Sequence, residues 1–236
     1  MRPKVIGLIG GMSWESSAEY YRIINRAMRD RLGGVHSARS LMWSVDFGHI
    51  ERLQHQGDWA TLEGEMIDAA QRLEAGGADF FLICTNTMHR MADAVAGAVS
   101  IPLLHIADPT AVAIKAAGHT RIGLLGTAFT MEQEFYKGRL AARHGLDVLV
   151  PEADDRRIVH DIIYGELVAG VVRNESRALY RAVIERLAAR GAEAVILGCT
   201  EIMLLIGPAD SPLPLFDTTT LHALAAVDQA LPDLKS

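Results

Sequence analysis

Two stretches of this chain look like copies of each other, and they constrain its fold more than any other feature. Residues 73–85 and 187–200 each run through a helix end, a Gly, an acidic residue and an apolar segment to a Cys-Thr pair. Their cysteines, Cys84 and Cys199, are the only two in the 236 residues and lie 115 positions apart (199 minus 84). The pattern predicts two related halves, each of which ends a strand at a thiol.

Two further pairs of segments repeat in the same order. Residues 6–10 resemble residues 122–126 at an offset of 116 (122 minus 6), and residues 101–104 more loosely resemble residues 213–216 at an offset of 112 (213 minus 101). Similar segments in one order at nearly one spacing indicate an internal duplication. A repeat of this length is close to the usual size of a domain, so the sequence favours two lobes. The lobes are predicted at residues 1–107 plus 218–236 and at residues 108–217.

Strands and helices alternate along the chain, which predicts an α/β fold of βαβ units with parallel sheets. Short apolar runs predict strands at residues 4–9, 39–45, 80–83, 102–104, 121–125, 147–150, 194–197 and 213–216. Apolar periodicity predicts helices that end near residue 32 and that span residues 58–75, 88–96, 109–117, 131–144, 158–172, 176–190, 201–206 and 218–231. Either Ser13 or Ser16 can cap the first helix.

Composition and charge exclude several classes of partner. The net charge is −6 and the basic residues are scattered, so a nucleic-acid partner is not expected. No apolar stretch approaches the roughly 20 residues of a membrane span, and the start of the chain lacks the apolar run of a signal peptide. We therefore expect a soluble, cytoplasmic protein whose two cysteines are thiols rather than a disulfide.

Small and hydroxyl-bearing residues follow four of the predicted strands, at residues 10–13, 84–87, 126–130 and 199–201. In open α/β sheets, ligands bind beyond the carboxyl ends of the strands, and backbone N–H groups at helix starts favour anions. We expect these segments to bind a carboxylate and to lower the pKa of the nearby thiols. Ser16 and Thr130 are better explained as helix caps.

Two thiols at equivalent strand ends suit the inversion of a carbon centre. The α-proton of an amino acid is a very weak acid, so its removal needs a base within hydrogen-bond reach and groups that stabilise the developing charge. One base tends to return the proton to the face it left, whereas two bases on opposite faces allow inversion. A thiolate from one lobe and a thiol from the other, in a cleft between the lobes, would exchange roles with each turnover.

The sequence predicts that no cofactor is needed. The chain has four lysines, none of them after a predicted strand where a Schiff-base lysine would stand: Lys4, Lys115, Lys137 and Lys235. Residues 7–12 do not fit the G-x-G-x-x-G dinucleotide pattern, and the histidines lack the spacing of zinc ligands. His89 and His105 lie near strand ends and could polarise the site, although a structural role is favoured for both.

Several stretches resemble a known family: Gly7–Ser16, Ser44–Phe47, Cys84–His89, His105–Asp108, Met131–Tyr136 and Gly198–Ile202. Together they resemble the aspartate/glutamate racemase superfamily of cofactor-independent racemases. The resemblance covers essentially the whole chain and is strongest to the aspartate racemase branch, which includes broad-specificity bacterial members. It implies two pseudo-symmetric, Rossmann-like lobes that face each other, with one cysteine from each, and a homodimer.

The same resemblance implies roles for individual residues. Cys84 and Cys199 would be the catalytic acid/base pair. The pocket for a small amino-acid substrate would be lined by Met12, Ser13, Gln54, Thr85, Asn86, Thr87, Thr127, Thr200 and Glu201.

The chain departs from glutamate racemases proper at two places. Those enzymes carry an acidic residue in the first glycine loop and a His two places after the second cysteine, whereas this chain has Gly10–Ser13 and Glu201 there. The departure argues against a peptidoglycan-type D-glutamate role and leaves open what tunes the thiol pKa values. Glu201 itself could orient a substrate ammonium group or cap the following helix.

An amino-acid racemase that acts on aspartate, with glutamate or other amino acids as further substrates, is the favoured interpretation. A related isomerase, decarboxylase or hydantoin racemase on the same scaffold is an alternative, although a single-cysteine decarboxylase is disfavoured because both thiols are present. A non-catalytic protein that binds small acids and a cysteine redox switch are two further hypotheses.

Overall fold

The computed structural model describes residues 3–232, and these residues form two compact units. The first unit comprises residues 3–106 and 222–232, and the second comprises Ala107–Leu221. The sequence placed the two divisions at 107/108 and 217/218. Residues 1–2 and 233–236 of the predicted N-terminal lobe lie outside the described residues, and Lys235 is one of them.

The first unit is built on a sheet of three parallel strands: β1 (Ile6–Gly10), β2 (Ser40–Ser44) and β3 (Phe80–Ile83). Their order is β2-β1-β3, so β1 is central. The fourth strand predicted at residues 102–104 is wrong, because this segment makes only one parallel bridge, between Leu103 and Phe81. Phe81 donates its N–H to the Pro102 carbonyl and accepts from the Leu104 N–H. Pro102 itself has no N–H that could extend this pairing.

Helices cover both faces of this sheet: α1 (Trp14–Leu32), α2 (Phe47–Gln56), α3 (Trp59–Ala75) and α4 (Ala92–Gly97). The helix predicted at 88–96 divides into a 3-10 helix at Thr87–Met91 and α4. The sequence reasoning missed α2, which begins after Asp46, whose carboxylate accepts from the Gly48 N–H at 3.3 Å.

Side-chain alternation along β3 separates two apolar layers. Phe81 and Ile83 pack against α3, whereas Phe80 and Leu82 face the opposite layer with residues of α1. Cys84 continues the second set, so its side chain points into a layer that also contains Tyr20. The period of two therefore explains why this thiol is fully buried.

The second unit is built on four parallel strands: β4 (Arg121–Gly126), β5 (Asp147–Leu149), β6 (Ala194–Gly198) and β7 (Leu215–Asp217). Their order is β5-β4-β6-β7. The first three strands of this unit are thus arranged as in the first unit, with the first strand between the second and the third. This shared order agrees with the duplication that the sequence indicates.

The helices of the second unit follow the predicted alternation: α5 (Ala107–Ala116), α6 (Ala128–Glu132), α7 (Glu134–His144), α8 (Ala153–Gly165), α9 (Asn174–Ala189), α10 (Ile202–Leu205) and α11 (Thr218–Ala230). Two predicted helices are wrong in extent. The one at 131–144 is interrupted at Gln133, whose backbone is extended, and the one at 158–172 ends at Gly165. The division between the units falls within α11. None of the helices in residues 3–232 is long and apolar enough to cross a membrane.

A half-buried ion pair joins α5 to α7 in the second unit. Arg139 donates two hydrogen bonds to Asp108, at 2.8 and 2.7 Å, and His144 donates a third at 3.1 Å. Burial works to raise the pKa of Asp108, but the hydrogen bonds and charges of Arg139 and His144 outweigh it and hold that pKa below its usual value. The pair therefore stabilises the fold at pH values at which Asp108 is ionised.

Replacing this carboxylate is expected to destabilise the protein. Asp108→Asn should lower the free energy of unfolding at neutral pH by about 1–2 kcal/mol, since the pair is partly screened by solvent. The effect should vanish as the pH falls through the lowered pKa, where the wild-type carboxyl group is also neutral. Asp68→Asn removes the exposed Arg72–Asp68 pair and should leave the free energy of unfolding nearly unchanged, because solvent screens this pair. Urea unfolding of both variants measures the difference, and equal losses would contradict the assignment.

Candidate active site

The loop between β1 and α1 brings a backbone turn against the second strand of the first unit. Gly11 has a positive φ of 92°, and its N–H donates to the Ser17 hydroxyl at 2.8 Å. A Cβ atom at Gly11 would lie 2.3 Å from the Val45 carbonyl oxygen, closer than atoms can approach. This position therefore requires glycine both for its conformation and for its space.

Ser13 and Met12, two of the predicted pocket residues, are both buried in this loop. Ser13 is the N-cap of α1, and its hydroxyl accepts from the Ser16 N–H at 3.3 Å. Of the two caps that the sequence offered, Ser13 is therefore the one used, and the preference for Ser16 as a cap is wrong. Met12 packs in the apolar layer that contains Leu53.

The segment after β3 places Cys84 at the carboxyl end of the sheet. The Cys84 N–H still donates to the Ile9 carbonyl at 2.9 Å, so the thiol stands at the last point where the chain pairs with β1. Of the three residues that follow Cys84 in the sequence, Asn86 and Thr87 are buried and Thr85 is partly buried. Burial raises the pKa of the Cys84 thiol far above its ordinary value.

Gln54 is brought to the same segment from α2. It is buried, and its side-chain amide donates to the Met88 sulfur at 3.3 Å, within the 3-10 helix that follows Cys84. The structure therefore places this predicted pocket residue next to the Cys84 segment, although 30 residues separate Gln54 from Cys84 in the sequence (84 minus 54).

His89 supports this segment through both ring nitrogens. Its Nδ1 donates to the Thr85 carbonyl at 2.8 Å, and its Nε2 accepts from the Ile106 N–H at 3.2 Å. These partners fix a neutral ring with the proton on Nδ1. His105 packs edge-on against it, with ring centroids 4.4 Å apart. The favoured structural role agrees with these contacts.

A third buried histidine, His222, was missed by the sequence reasoning. Its Nδ1 accepts from the Tyr20 hydroxyl and its Nε2 donates to the Leu104 carbonyl, both at 2.8 Å. These contacts span 202 and 118 residues of sequence, and no local pattern around His222 could have indicated them.

Thr127 occupies the equivalent turn of the second unit, after β4. It caps α6, and its hydroxyl accepts from the Thr130 N–H at 3.3 Å. The cap is therefore Thr127 rather than Thr130, whose hydroxyl lies 3.2 Å from that of Thr127. His160 from α8 accepts the Ala128 N–H at 3.1 Å, and its ring packs on Tyr164 with centroids 4.8 Å apart. The sequence reasoning did not identify His160. The one sequence feature that could have indicated it is its spacing from Tyr164.

The Cys199 segment contains a compact hydrogen-bonded group. Cys199 directly follows β6, and its thiol donates to Oε2 of Glu201 at 3.0 Å. The Thr200 hydroxyl donates to the same oxygen at 2.9 Å. All three side chains are buried, and Glu201 is only 2% exposed. Glu201 stands before α10 without a side-chain cap, so its proposed role as a helix cap is wrong.

The thiol of Cys199 is held in its protonated form. Burial raises its pKa well above the ordinary value, and the charge and hydrogen bond of Glu201 raise it further. The backbone N–H groups of Glu201 and Thr200 do act to lower this pKa, as the sequence suggested, but they are outweighed. The expectation of lowered thiol pKa values is therefore wrong for both cysteines, because desolvation dominates.

None of the lysines in residues 3–232 directly follows a strand. Lys4 precedes β1, Lys115 lies in the last turn of α5, and Lys137 pairs with Glu134 at 2.9 Å. In residues 3–232, no group of three or more His, Cys, Asp or Glu side chains could hold a metal ion. The chemically reactive groups at the two strand ends are therefore the thiols and the polar side chains around them, both cysteines being free.

Comparison with known proteins gives a consistent family. Residues 9–226 match the family described as Asp/Glu/hydantoin racemase. The broad specificity amino-acid racemase RacX of Bacillus subtilis (strain 168) is 24% identical over 180 residues, which cover 74% of this chain and 74% of that protein.

Solved structures that are similar over nearly the whole chain include the following two. An Asp/Glu racemase candidate from Yersinia pestis is 52% identical with a TM-score of 0.90, over 97% of this chain and 99% of that chain. An aspartate racemase homologue from Pyrococcus horikoshii OT3 is 32% identical with a TM-score of 0.82, over 96% and 99% of the two chains. The predicted α/β fold with parallel sheets in two lobes is confirmed.

A side chain at Gly11 is expected to displace the loop that leads to Ser13. Gly11→Ala should destabilise the protein by at least about 2 kcal/mol more than Gly77→Ala, because the added Cβ meets the Val45 backbone. Gly77 is a matched control, since its φ is 89° and a Cβ there would meet nothing within 4 Å. Thermal unfolding measures both variants, and equal melting temperatures would contradict the close contact.

Proposed function

Because this chain belongs to the Asp/Glu/hydantoin racemase family, we propose that it racemises aspartate with Cys84 and Cys199 as its two acid/base groups and without pyridoxal phosphate. The observation that carries the proposal is the equivalence of the two thiols. Each is the first residue after the third strand of its unit, and each is followed by a threonine.

The proposed reaction moves one proton off the α-carbon and another onto it. The thiolate of one cysteine takes the α-proton, and the thiol of the other protonates the opposite face. A buried thiolate with a raised pKa is rarer than an exposed one at neutral pH but is a stronger base, which suits a very weak carbon acid. The mechanism requires both sulfur atoms to reach the same carbon.

The developing charge on the substrate carboxylate would be stabilised by neutral donors. The candidates are the hydroxyl, amide and backbone N–H groups at the carboxyl ends of the strands. They belong to Ser13, Gln54, Thr85, Asn86, Thr87, Thr127 and Thr200, while Met12 would supply an apolar contact. Such fixed donors act in a site from which water is excluded, where they contribute more than they would in water.

Aspartate is proposed as the substrate because the relative from Pyrococcus horikoshii OT3 is described as an aspartate racemase homologue. A broader range is the second candidate, since the Bacillus subtilis relative is a broad specificity amino-acid racemase. A homodimer and a cytoplasmic location stay predictions of the sequence and its resemblance.

Incubation with L-aspartate in D₂O, without any added cofactor, tests the proposal. We expect loss of optical rotation together with deuterium at the α-carbon. Cys84→Ser and Cys199→Ser should each reduce racemisation by at least about 10²-fold, because each removes an acid/base group. Polarimetry and α-deuteration by NMR measure the two quantities, and each single-thiol variant should still exchange the α-proton of one enantiomer.

Parallel reactions with L-glutamate, L-alanine and a 5-substituted hydantoin separate the alternatives. Unfolding transitions of both variants that match the wild type exclude loss of folding as the cause. Full racemase activity in either variant would contradict the two-thiol mechanism. A requirement for added pyridoxal phosphate would contradict the claim that no cofactor is needed, and turnover of the hydantoin alone would replace the proposed substrate.

A further inference from the structure

We propose that Glu201 is the proton partner of Cys199: it takes the thiol proton when Cys199 acts as a base and returns it when Cys199 acts as an acid. The inference rests on the proposed function for its catalytic meaning, but the proton sharing itself can be measured without any substrate. It assigns to Glu201 a role other than orienting a substrate ammonium group.

The geometry of the Cys199 segment carries this proposal. The thiol donates to Oε2 of Glu201 at 3.0 Å, so a proton can cross between sulfur and oxygen without rearrangement of either side chain. The Thr200 hydroxyl donates to the same oxygen at 2.9 Å and holds it in place. Because Glu201 is 98% buried (100 minus 2), its carboxyl group lies nearer to the Cys199 thiol than to bulk solvent, so the thiol is its nearest source of a proton.

The groups around this pair disfavour a second negative charge. Tyr180 from α9 is fully buried, and burial raises its pKa well above the usual value, with further contributions from the charges of Cys199, Glu166 and Glu201. Its hydroxyl keeps its proton and donates to the Val159 carbonyl at 3.1 Å. A thiolate and a carboxylate 3.0 Å apart would repel each other, so the pair keeps one proton between them.

The first unit lacks this arrangement. The residue two places after Cys84 is Asn86, where the second copy has Glu201. An amide cannot accept a proton at neutral pH, and the pKa of Cys84 is raised by burial alone. The two repeated segments therefore differ chemically. A carboxylate that can accept a proton lies beside the thiol of the second segment, whereas an amide occupies the corresponding position of the first.

The proton balance of the step is complete. In the resting state Cys199 is a thiol and Glu201 a carboxylate. The proton moves from sulfur to Oε2, and the resulting thiolate takes the α-proton, so that an S–H bond forms, the C–H bond breaks and its electron pair stays on the substrate. Cys84 then gives its proton to the opposite face and becomes a thiolate. Glu201 releases its stored proton to solvent and Cys84 regains one, which restores the resting state.

A variant with a single thiol isolates the pair, since Cys84→Ser leaves Cys199 as the one cysteine of the chain. In this background we expect Glu201→Gln to lower the apparent pKa of Cys199 by about one pH unit or more, because the neighbouring charge is removed. Thiolate ultraviolet absorbance during alkaline titration measures this shift in the absence of substrate. Glu201→Asp keeps the charge but moves it one methylene further from the thiol, so the apparent pKa of Cys199 should be intermediate. This variant replaces Glu201→Gln in the titration if the Gln variant does not fold.

Glu166→Gln is the matched control. Glu166 also adds negative charge near Tyr180, but its carboxylate accepts from the Ser176 hydroxyl at 2.6 Å. We expect the titration of Cys199 to be essentially unchanged in this variant. An unchanged titration with Glu201→Gln and Glu201→Asp, or an equal shift with Glu166→Gln, would overturn the proton sharing whether or not the protein racemises aspartate.

The pH profile of α-proton exchange tests the catalytic part. With Cys84→Ser alone, exchange should be nearly independent of pH around neutrality, because the proton passes within the pair. With Glu201→Gln added, exchange should rise about tenfold per pH unit, because the proton must leave to solvent. Parallel profiles with and without Glu201→Gln in the Cys84→Ser background would overturn the role, while absence of exchange in every variant, wild type included, would refute the proposed function instead.

Discussion

Desolvation of two thiols at the ends of buried parallel strands is the constraint on which the proposed chemistry of this protein depends. A cysteine that follows a buried strand inherits the alternation of that strand, and Cys84 continues the set of Phe80 and Leu82 into an apolar layer. Removal from water favours the neutral thiol so strongly that the backbone N–H groups near Cys199 cannot reverse it. In the proposed reaction each cysteine would therefore be a rarer but stronger base than an exposed thiolate.

Much of this architecture could be predicted because its signals are local. The apolar run at Phe80–Ile83 and the alternation of strands with helices define parallel sheets, and the two Cys-Thr pairs place both thiols after equivalent strands. The limits of elements were harder to predict where backbone and tertiary contacts decide them. Gln133 has an ordinary helical neighbourhood in sequence, yet its extended backbone divides α6 from α7.

The parts of the candidate site that sequence reasoning missed depend on partners far away in the chain. His222 bonds to Tyr20 and Leu104 through contacts that only the completed fold creates. The prediction that the pKa values of the thiols are lowered is wrong for a related reason. Helix starts are visible in a sequence, whereas the depth at which a side chain is buried is a property of packing.

The position of α11 has a consequence for how the protein is made. Its residues Ala223, Ala226 and Val227 belong to the apolar layer that encloses Cys84, although they lie more than a hundred positions later in the chain. During synthesis, the first half leaves the ribosome before this helix exists. Until α11 has docked, Cys84 lacks part of the apolar cover whose burial raises its pKa. The raised pKa of Cys84 therefore depends on a helix that is synthesised long after the cysteine itself.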